Sequence, residues 1–296
     1  MSSFLGNAFR FPSVALRHRD ILRAFVAKEL RARYEGSFLG RAWPVLHPLM
    51  LFAVYGLVFT KMLDMKCGAV GGALPEGWQT TFYLLSGILP WTALVESVGR
   101  ATPVVVENSN LIKKVAFPSE LLPTYVVLVQ LVQLTIGLCL LLGLYLSVML
   151  AVPTGSFGDR LAGLSNLLWL PVPIVLQTLF FVGLSMLFSS LAVFVRDIGQ
   201  IIPLAMMIWM FFSPVFYPES VVIRAATSNQ QPWILTALHC NPMYHLLAMW
   251  RGVFAFEGGA VFPIESAGIF AAIALGVFLL GHSCFHQWKG LFADEV

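Results

Sequence analysis

Three arginines, Arg31, Arg33 and Arg41, crowd against the nineteen uncharged residues from Ala42 to Thr60. A guanidinium offers paired donors in a planar fork, which suits the oxygens of a phosphate or pyrophosphate. With Tyr34 and Trp43 beside them, they form a candidate entrance for an anionic molecule held at a membrane surface. The same charges would also serve as a plain anchor on anionic headgroups, at about 1 kcal/mol per basic residue. Other ionisable pairs are sparse. Glu96 and Arg100 stand four apart on one helical face and predict an ion pair. His282 and His286 share a face too, but without a further ligand on it they are expected to pack rather than bind a metal. No catalytic set and no metal site is expected.

The elements that hold these residues must be membrane helices. The chain is 58% hydrophobic and 11% charged, with a mean hydropathy of +0.81, too few charges to cover a soluble surface. Eight of the eighteen Lys and Arg residues fall in the first 41 positions, directly before the first apolar run. A run of about 20 apolar residues matches the roughly 30 Å hydrocarbon core, and a basic flank holds that end in the cytoplasm. The basic lead is too long for the n-region of a signal peptide, so the first span is expected to stay in the mature protein. A net charge of +3 says little about nucleic acid, and no nucleic-acid partner is expected.

Uncharged stretches at 42–60, 77–95, 121–158, 161–195, 198–218 and 266–288 read as six full spans. The stretch at 225–250 does not, because it opens with Thr227, Ser228, Asn229, Gln230 and Gln231 and is broken by His239, Asn241 and Pro242. Two re-entrant half-helices fit it better, lining a cavity rather than facing lipid. The expected fold is an all-α polytopic membrane protein with six spans. An amphipathic interfacial helix precedes them, and re-entrant helices stand before the last. Both termini are then cytoplasmic, with thirteen Lys and Arg on that face and five opposite; a seventh crossing at 232–250 is left open by the charges. The plan is a cytoplasmic segment 1–41, a transmembrane domain 42–288 and a tail 289–296. The domain carries a cytoplasmic loop at 101–120 and an outer re-entrant segment at 225–257. In the lead, Ile21, Leu22, Phe25, Val26 and Leu30 fall on one side of a helix and Arg23, Lys28 and Arg31 on the other.

The loop carries Glu107, Asn110, Leu111, Ile112, Lys113, Lys114 and Phe117. Asn and Ser cap a short helix there and Pro118 ends it. Its apolar residues, Val115 included, argue for a docking surface over a solvated connector. Towards the outer face stand Phe212, Phe216, Tyr217, Trp233, Tyr244 and Trp250, with Asn241, Pro242 and Arg251. Aromatic faces stack on sugar rings and let them slide, although Trp and Tyr also populate ordinary interfacial belts. Cys67 and Cys240 both fall on that face, where an oxidising compartment would permit a disulfide.

Arg33, Tyr34, Gly36, Ser37, Leu39, Gly40, Trp43 and Pro48 resemble the entrance signature of ABC-2 type exporter permeases. The run from Asn110 to Pro123 resembles that family's first cytoplasmic loop, and Ser213, Pro214, Phe216, Tyr217, Pro218, Asn241, Pro242 and Arg251 resemble its outer region. Within the family, the chain resembles membrane subunits that export O-antigen, capsular polysaccharide or teichoic acid. The resemblance implies a subunit of the bacterial inner membrane that forms a homodimer around one channel. It pairs with two separate ATP-binding cassette subunits and moves a lipid-linked polysaccharide among membrane lipids. ATP and Mg belong to those partners and no cofactor to this chain, which has no G-x-x-x-x-G-K-[ST] run. The arginine cluster becomes the substrate entrance, Glu107 to Phe117 the coupling surface and the aromatic set the channel or outer gate. One departure is the loop from Asp64 to Gln79, longer than the family's usual connection. Two alternatives remain: an ABC-2 permease for a drug or lipid, and a membrane-embedded glycan-modifying transferase, which would need titratable groups the spans lack.

Overall fold

A computed structural model describes residues 11–65, 76–114, 117–151, 164–228, 230–254 and 262–295, and among them every regular element is helical. The lead forms α1 (Arg19–Ala32). Leu22 is buried, and Ile21, Phe25, Val26 and Leu30 pack against the same core, so the apolar stripe read from the sequence is the face that docks. The first span is α2 (Trp43–Tyr55), continued by wider turns over Gly56–Met62. There the Leu63 N–H donates five residues back, to the Val58 carbonyl (2.9 Å).

The centre of the bundle is α3 (Glu76–Ala101). Phe82, Tyr83, Leu84 and Leu85 are all fully buried, and four consecutive buried residues mean that the helix is covered on every side. By contrast only 11% of the first span is buried, which leaves its outer face for lipid or another chain. Two short helices follow, α4 (Val104–Glu107) and α5 (Ser109–Lys114), before the long α6 (Leu121–Ala151). Then come α7 (Pro171–Phe194), α8 (Ile198–Phe212), α9 (Glu219–Ser228), α10 (Trp233–His239), α11 (Pro242–Val253), α12 (Ile264–Trp288) and α13 (Phe292–Glu295).

The tightest crossing joins α7 to α12. A β-carbon on Gly281 would lie 2.0 Å from the Gly183 carbonyl oxygen, and one on Gly183 would lie 2.6 Å from the Phe278 α-carbon. Only paired glycines let these backbones touch, the small-residue device by which helices associate in lipid.

Three contacts fix the ends of the helices. Glu29 of α1 pairs with Arg100 at the end of α3 (3.1 Å). Lys289, just past α12, donates to Glu120, just before α6 (2.7 Å). Phe194 at the end of α7 meets Trp288 at the end of α12, with ring centroids 5.6 Å apart. The lead, the 101–120 segment and the tail therefore gather at one end of the bundle. From Ile198 the chain must reach the opposite end by Ile264, a single net passage.

The six expected spans correspond to five long apolar helices and one shorter one. Among the described residues, five helices are long and apolar enough to cross: Trp43–Met62, Trp78–Ala101, Leu121–Ala151, Leu164–Phe194 and Ile264–Trp288. The stretch read as the fifth span yields the 15-residue α8, about 22 Å at 1.5 Å per residue, against a core of about 30 Å. Pro214 and Pro218 bracket a non-helical turn that stops it early. The interruption at 225–250 also differs in detail. Thr227 and Ser228 close α9 instead of breaking a helix, whereas the break at Asn241 and Pro242 is present and separates α10 from α11.

Candidate functional site

At the shared end of the bundle, α1 stops at Ala32 and the chain turns twice before α2. Gly36 (φ 79°) and Gly40 (φ 47°) take left-handed conformations that a side chain would strain. Between them the Ser37 hydroxyl donates to the Tyr34 carbonyl (3.1 Å) and accepts from the Gly40 N–H (3.0 Å). This loop swings Arg33, Tyr34 and Trp43 onto one cavity of about 370 Å³, whose other walls include His47, Thr92, Glu96, Gln130 and Gln133. Arg31 lies in an adjoining groove of about 740 Å³ that shares Tyr34, Pro44 and Gln133. The side chain of Arg41 lies outside the described residues.

Arg33 is the hub. Its Nε lies 3.6 Å from Glu29 Oε1 and its Nη1 3.4 Å from Glu96 Oε2. In the amide orientation that satisfies both ends, Gln130 accepts from Arg33 Nη2 (2.6 Å) and donates to Glu96 (2.9 Å) and to Gln133 Oε1 (2.9 Å). Gln133 in turn donates to the Tyr34 hydroxyl (2.8 Å). Burial pushes the Tyr34 hydroxyl above its ordinary value, more than the neighbouring Arg33 charge lowers it, so it stays neutral. The expected Glu96–Arg100 pair is corrected: although the spacing permits it, Glu96 turns to Arg33 and Arg100 to Glu29, because α1 lies across both. Glu29, Gln130 and Gln133 were missed as site residues. A signal existed for the two amides, which stand three apart on one face of a 31-residue apolar helix.

The loop residues divide. Glu107, Asn110 and Lys113 are exposed, Leu111 is half-buried, and Ile112 and Phe117 pack partly against the chain's own core. Phe117 meets Phe25 of α1 with centroids 5.7 Å apart. The freely exposed apolar patch expected here is thus partly covered from within. Val115 and the side chain of Lys114 lie outside the described residues. The tail adds to this surface: Phe292 is fully buried and α13 packs against α5. Burial would raise the Glu120 carboxyl, but the Lys289 bond and the nearby charges of Lys289 and His286 prevail and hold it below its ordinary value. The rings of His282 and His286 stack 6.0 Å apart, and Phe11 packs on His282 at 5.8 Å.

At the opposite end, Asn241 caps α11 by accepting from the Met243 N–H (3.0 Å), and Pro242 takes the first helical position, where a missing donor costs nothing. The same oxygen accepts from the Trp209 indole (2.9 Å), while the amide nitrogen donates to the Phe212 carbonyl (3.0 Å) and the Ser213 hydroxyl (2.9 Å). One side chain thus joins the end of α8 to the start of α11. Beside it Phe212, Tyr217, Trp233, Asn241 and Pro242 line an apolar cavity of about 760 Å³. Phe212 is 71% exposed and Trp233 65%, so both present open faces. Phe216 leaves the group to stack on Phe59 (5.6 Å) and Tyr55 (5.7 Å) of the first span. Tyr244 donates to Glu219 (3.0 Å), which also meets His239 (3.1 Å).

Two expected gate residues are interior. Trp250 is fully buried and donates to Gln177 (2.9 Å). Arg251 is 2% exposed, donates to the carbonyls of Pro214 and Val215, and lies 3.8 Å over the Tyr83 ring. Its charge fastens the turn after α8 to the central helix. Cys240 is exposed, and Cys67 lies outside the described residues.

Comparison with known proteins adds a family and three relatives. The ABC-2 type transporter family matches residues 21–255. The O-antigen export system permease protein RfbA of Myxococcus xanthus is 29% identical over 280 residues, covering 95% of this chain and 96% of that protein. Two Klebsiella pneumoniae proteins of the same name are 26% and 24% identical over 275 residues, each covering 93% of this chain and 94% of its own length.

Proposed function

Since the chain belongs to the ABC-2 type transporter family, we propose that it is the membrane subunit of an exporter that carries a lipid-linked polysaccharide of the O-antigen kind across the bacterial inner membrane. The observation that carries this reading is likeness along nearly the whole chain to proteins named for O-antigen export. Both termini are cytoplasmic and the chain crosses six times, α8 with the turn after it making the fifth passage. Two copies enclose the channel. The apolar faces left bare on the first span (Val45, Leu49, Val54) and on α8 (Ile201, Leu204, Ile208) support such a dimer.

ATP and Mg are handled by two cassette subunits that dock on the 101–120 segment. Cargo arrives with its phosphate at Arg33 and Tyr34, while Trp43 offers a stacking face. ATP-driven closure of the partners pushes on α4 and α5, and the motion passes into α3 and α6, which they join. The glycan then slides past Phe212, Tyr217 and Trp233, whose flat faces impose few fixed hydrogen bonds.

The test is reconstitution with the cognate ATPase subunit and comparison of cargoes. Hydrolysis should rise with lipid-linked polysaccharide, and deletion of the permease should abolish surface glycan while its synthesis continues inside. Stimulation by a drug or a simple lipid, and not by the glycan, would overturn the substrate assignment. Arg33→Lys should lower surface glycan at normal permease abundance, because an ammonium cannot reproduce the fork.

A further inference from the structure

The entrance holds more acid than phosphate binding requires. Arg33 lies between two carboxylates, and neither contact is a good one. Charge-assisted N–H···O bonds settle at about 2.7–2.9 Å, commonly as a forked pair; here the separations are 3.6 Å to Glu29 and 3.4 Å to Glu96, each through a single nitrogen. Its short partner is the neutral Gln130 (2.6 Å). Glu29 is divided further, since the same Oε1 also serves Arg100 (3.1 Å). Arg33 and Arg100 against Glu29 and Glu96 sum to zero, so this cluster by itself offers an arriving anion no net positive charge.

We propose that Glu29 and Glu96 are resident stand-ins for the cargo's phosphate, which loads by displacing them from Arg33. The inference rests on the entrance reading above. Loose contacts make the exchange inexpensive, and Gln130, 2% exposed, holds the guanidinium in place while its counterions change. The Glu96 side chain is 40% exposed and turns to water without being buried. The adjoining cavity of about 370 Å³ gives the incoming group its room. A singly charged headgroup has no advantage over a carboxylate at such a site, whereas a pyrophosphate brings more charge and more acceptors. The stand-ins thus make the entrance selective for the more highly charged anion.

The permease is purified with its ATPase partner, placed in nanodiscs of zwitterionic lipid and titrated with a polyprenyl pyrophosphate that carries no glycan. Glu96→Gln removes a competitor at constant size, and binding should tighten about three- to tenfold. Glu29→Gln should act in the same direction, as an independent arm. Glu35→Gln, the same charge change on an exposed neighbour, should alter binding by less than about twofold. Arg33→Lys should weaken it. If the carboxylates only brace the fold, both Gln variants loosen Arg33 and binding weakens, the opposite sign. Weakened or unchanged binding in both, with Arg33→Lys still impaired, overturns the stand-ins and leaves the entrance standing. No binding in the unaltered complex, or binding indifferent to Arg33→Lys, overturns the entrance and this inference with it.

Discussion

Replacing Asn241 with Ala should open the joint between α8 and α11. Four bonds are lost at once: two accepted by Oδ1, from Met243 (3.0 Å) and Trp209 (2.9 Å), and two donated by Nδ2, to Phe212 (3.0 Å) and Ser213 (2.9 Å). Loss of the cap costs about 1 kcal/mol. Stranding the Phe212 carbonyl and the Trp209 indole in a partly buried joint adds about 1–3 kcal/mol. The expected sum of about 2–4 kcal/mol corresponds to local opening some 30- to 1000-fold more frequent. Hydrogen exchange at the Met243 amide, with the protein in nanodiscs, reads this directly, and amides in the middle of α3 serve as the internal reference. Asn241→Asp separates the two halves, because it keeps the acceptors for Met243 and Trp209 but sets a carboxylate oxygen against the Phe212 carbonyl. It should retain Met243 protection better than Ala does while still freeing the end of α8. Exchange at Met243 within about threefold of the parent in the Ala variant would refute the clamp.

Gly281→Ala places a β-carbon 2.0 Å from the Gly183 carbonyl oxygen, so it should cost about 3 kcal/mol, the upper end of the overpacking range. Gly276→Ala, on the same helix with no atom within 4 Å, should be nearly silent in the same thermal denaturation. The bond from Lys289 lowers the Glu120 pKa in the folded chain, so its contribution is present above the ordinary carboxylate pKa and is lost as pH falls through the depressed folded value. Lys289→Met should therefore release the tail at a higher pH than the parent, at a cost on the order of 1 kcal/mol given a Lys side chain 36% exposed, as followed by limited proteolysis across a pH series.

Membrane class and helix order were legible because the bilayer imposes a single length and a single composition on each crossing. The docking stripe of α1 was equally legible, since Leu22, Phe25, Val26 and Leu30 repeat with the helical period. Pairings were not. Glu96 and Arg100 satisfied a local rule, but each instead meets a residue more than sixty positions away, and no local spacing reveals where α1 lies. The burial of Arg251 and Trp250 was hidden for a related reason: only the packing of α11 against α3 and α7 covers them. Asn241 and Pro242 were read correctly as a break, because a capping side chain followed by Pro carries its meaning within two residues.

The hydrogen bond between Glu120 and Lys289 joins residues 169 positions apart, and the second of them directly follows α12. A ribosome must have made α12, and the membrane must have accepted it, before that bond forms. Until then α5 lacks the cover of α13 and Glu120 lacks its cation. The face that the lead, the 101–120 segment and the tail share is thus completed only after α12 is in place. Manufacture itself sets the sequence of events: a half-inserted chain displays an unfinished platform, and the finished platform reports that α12 is in place.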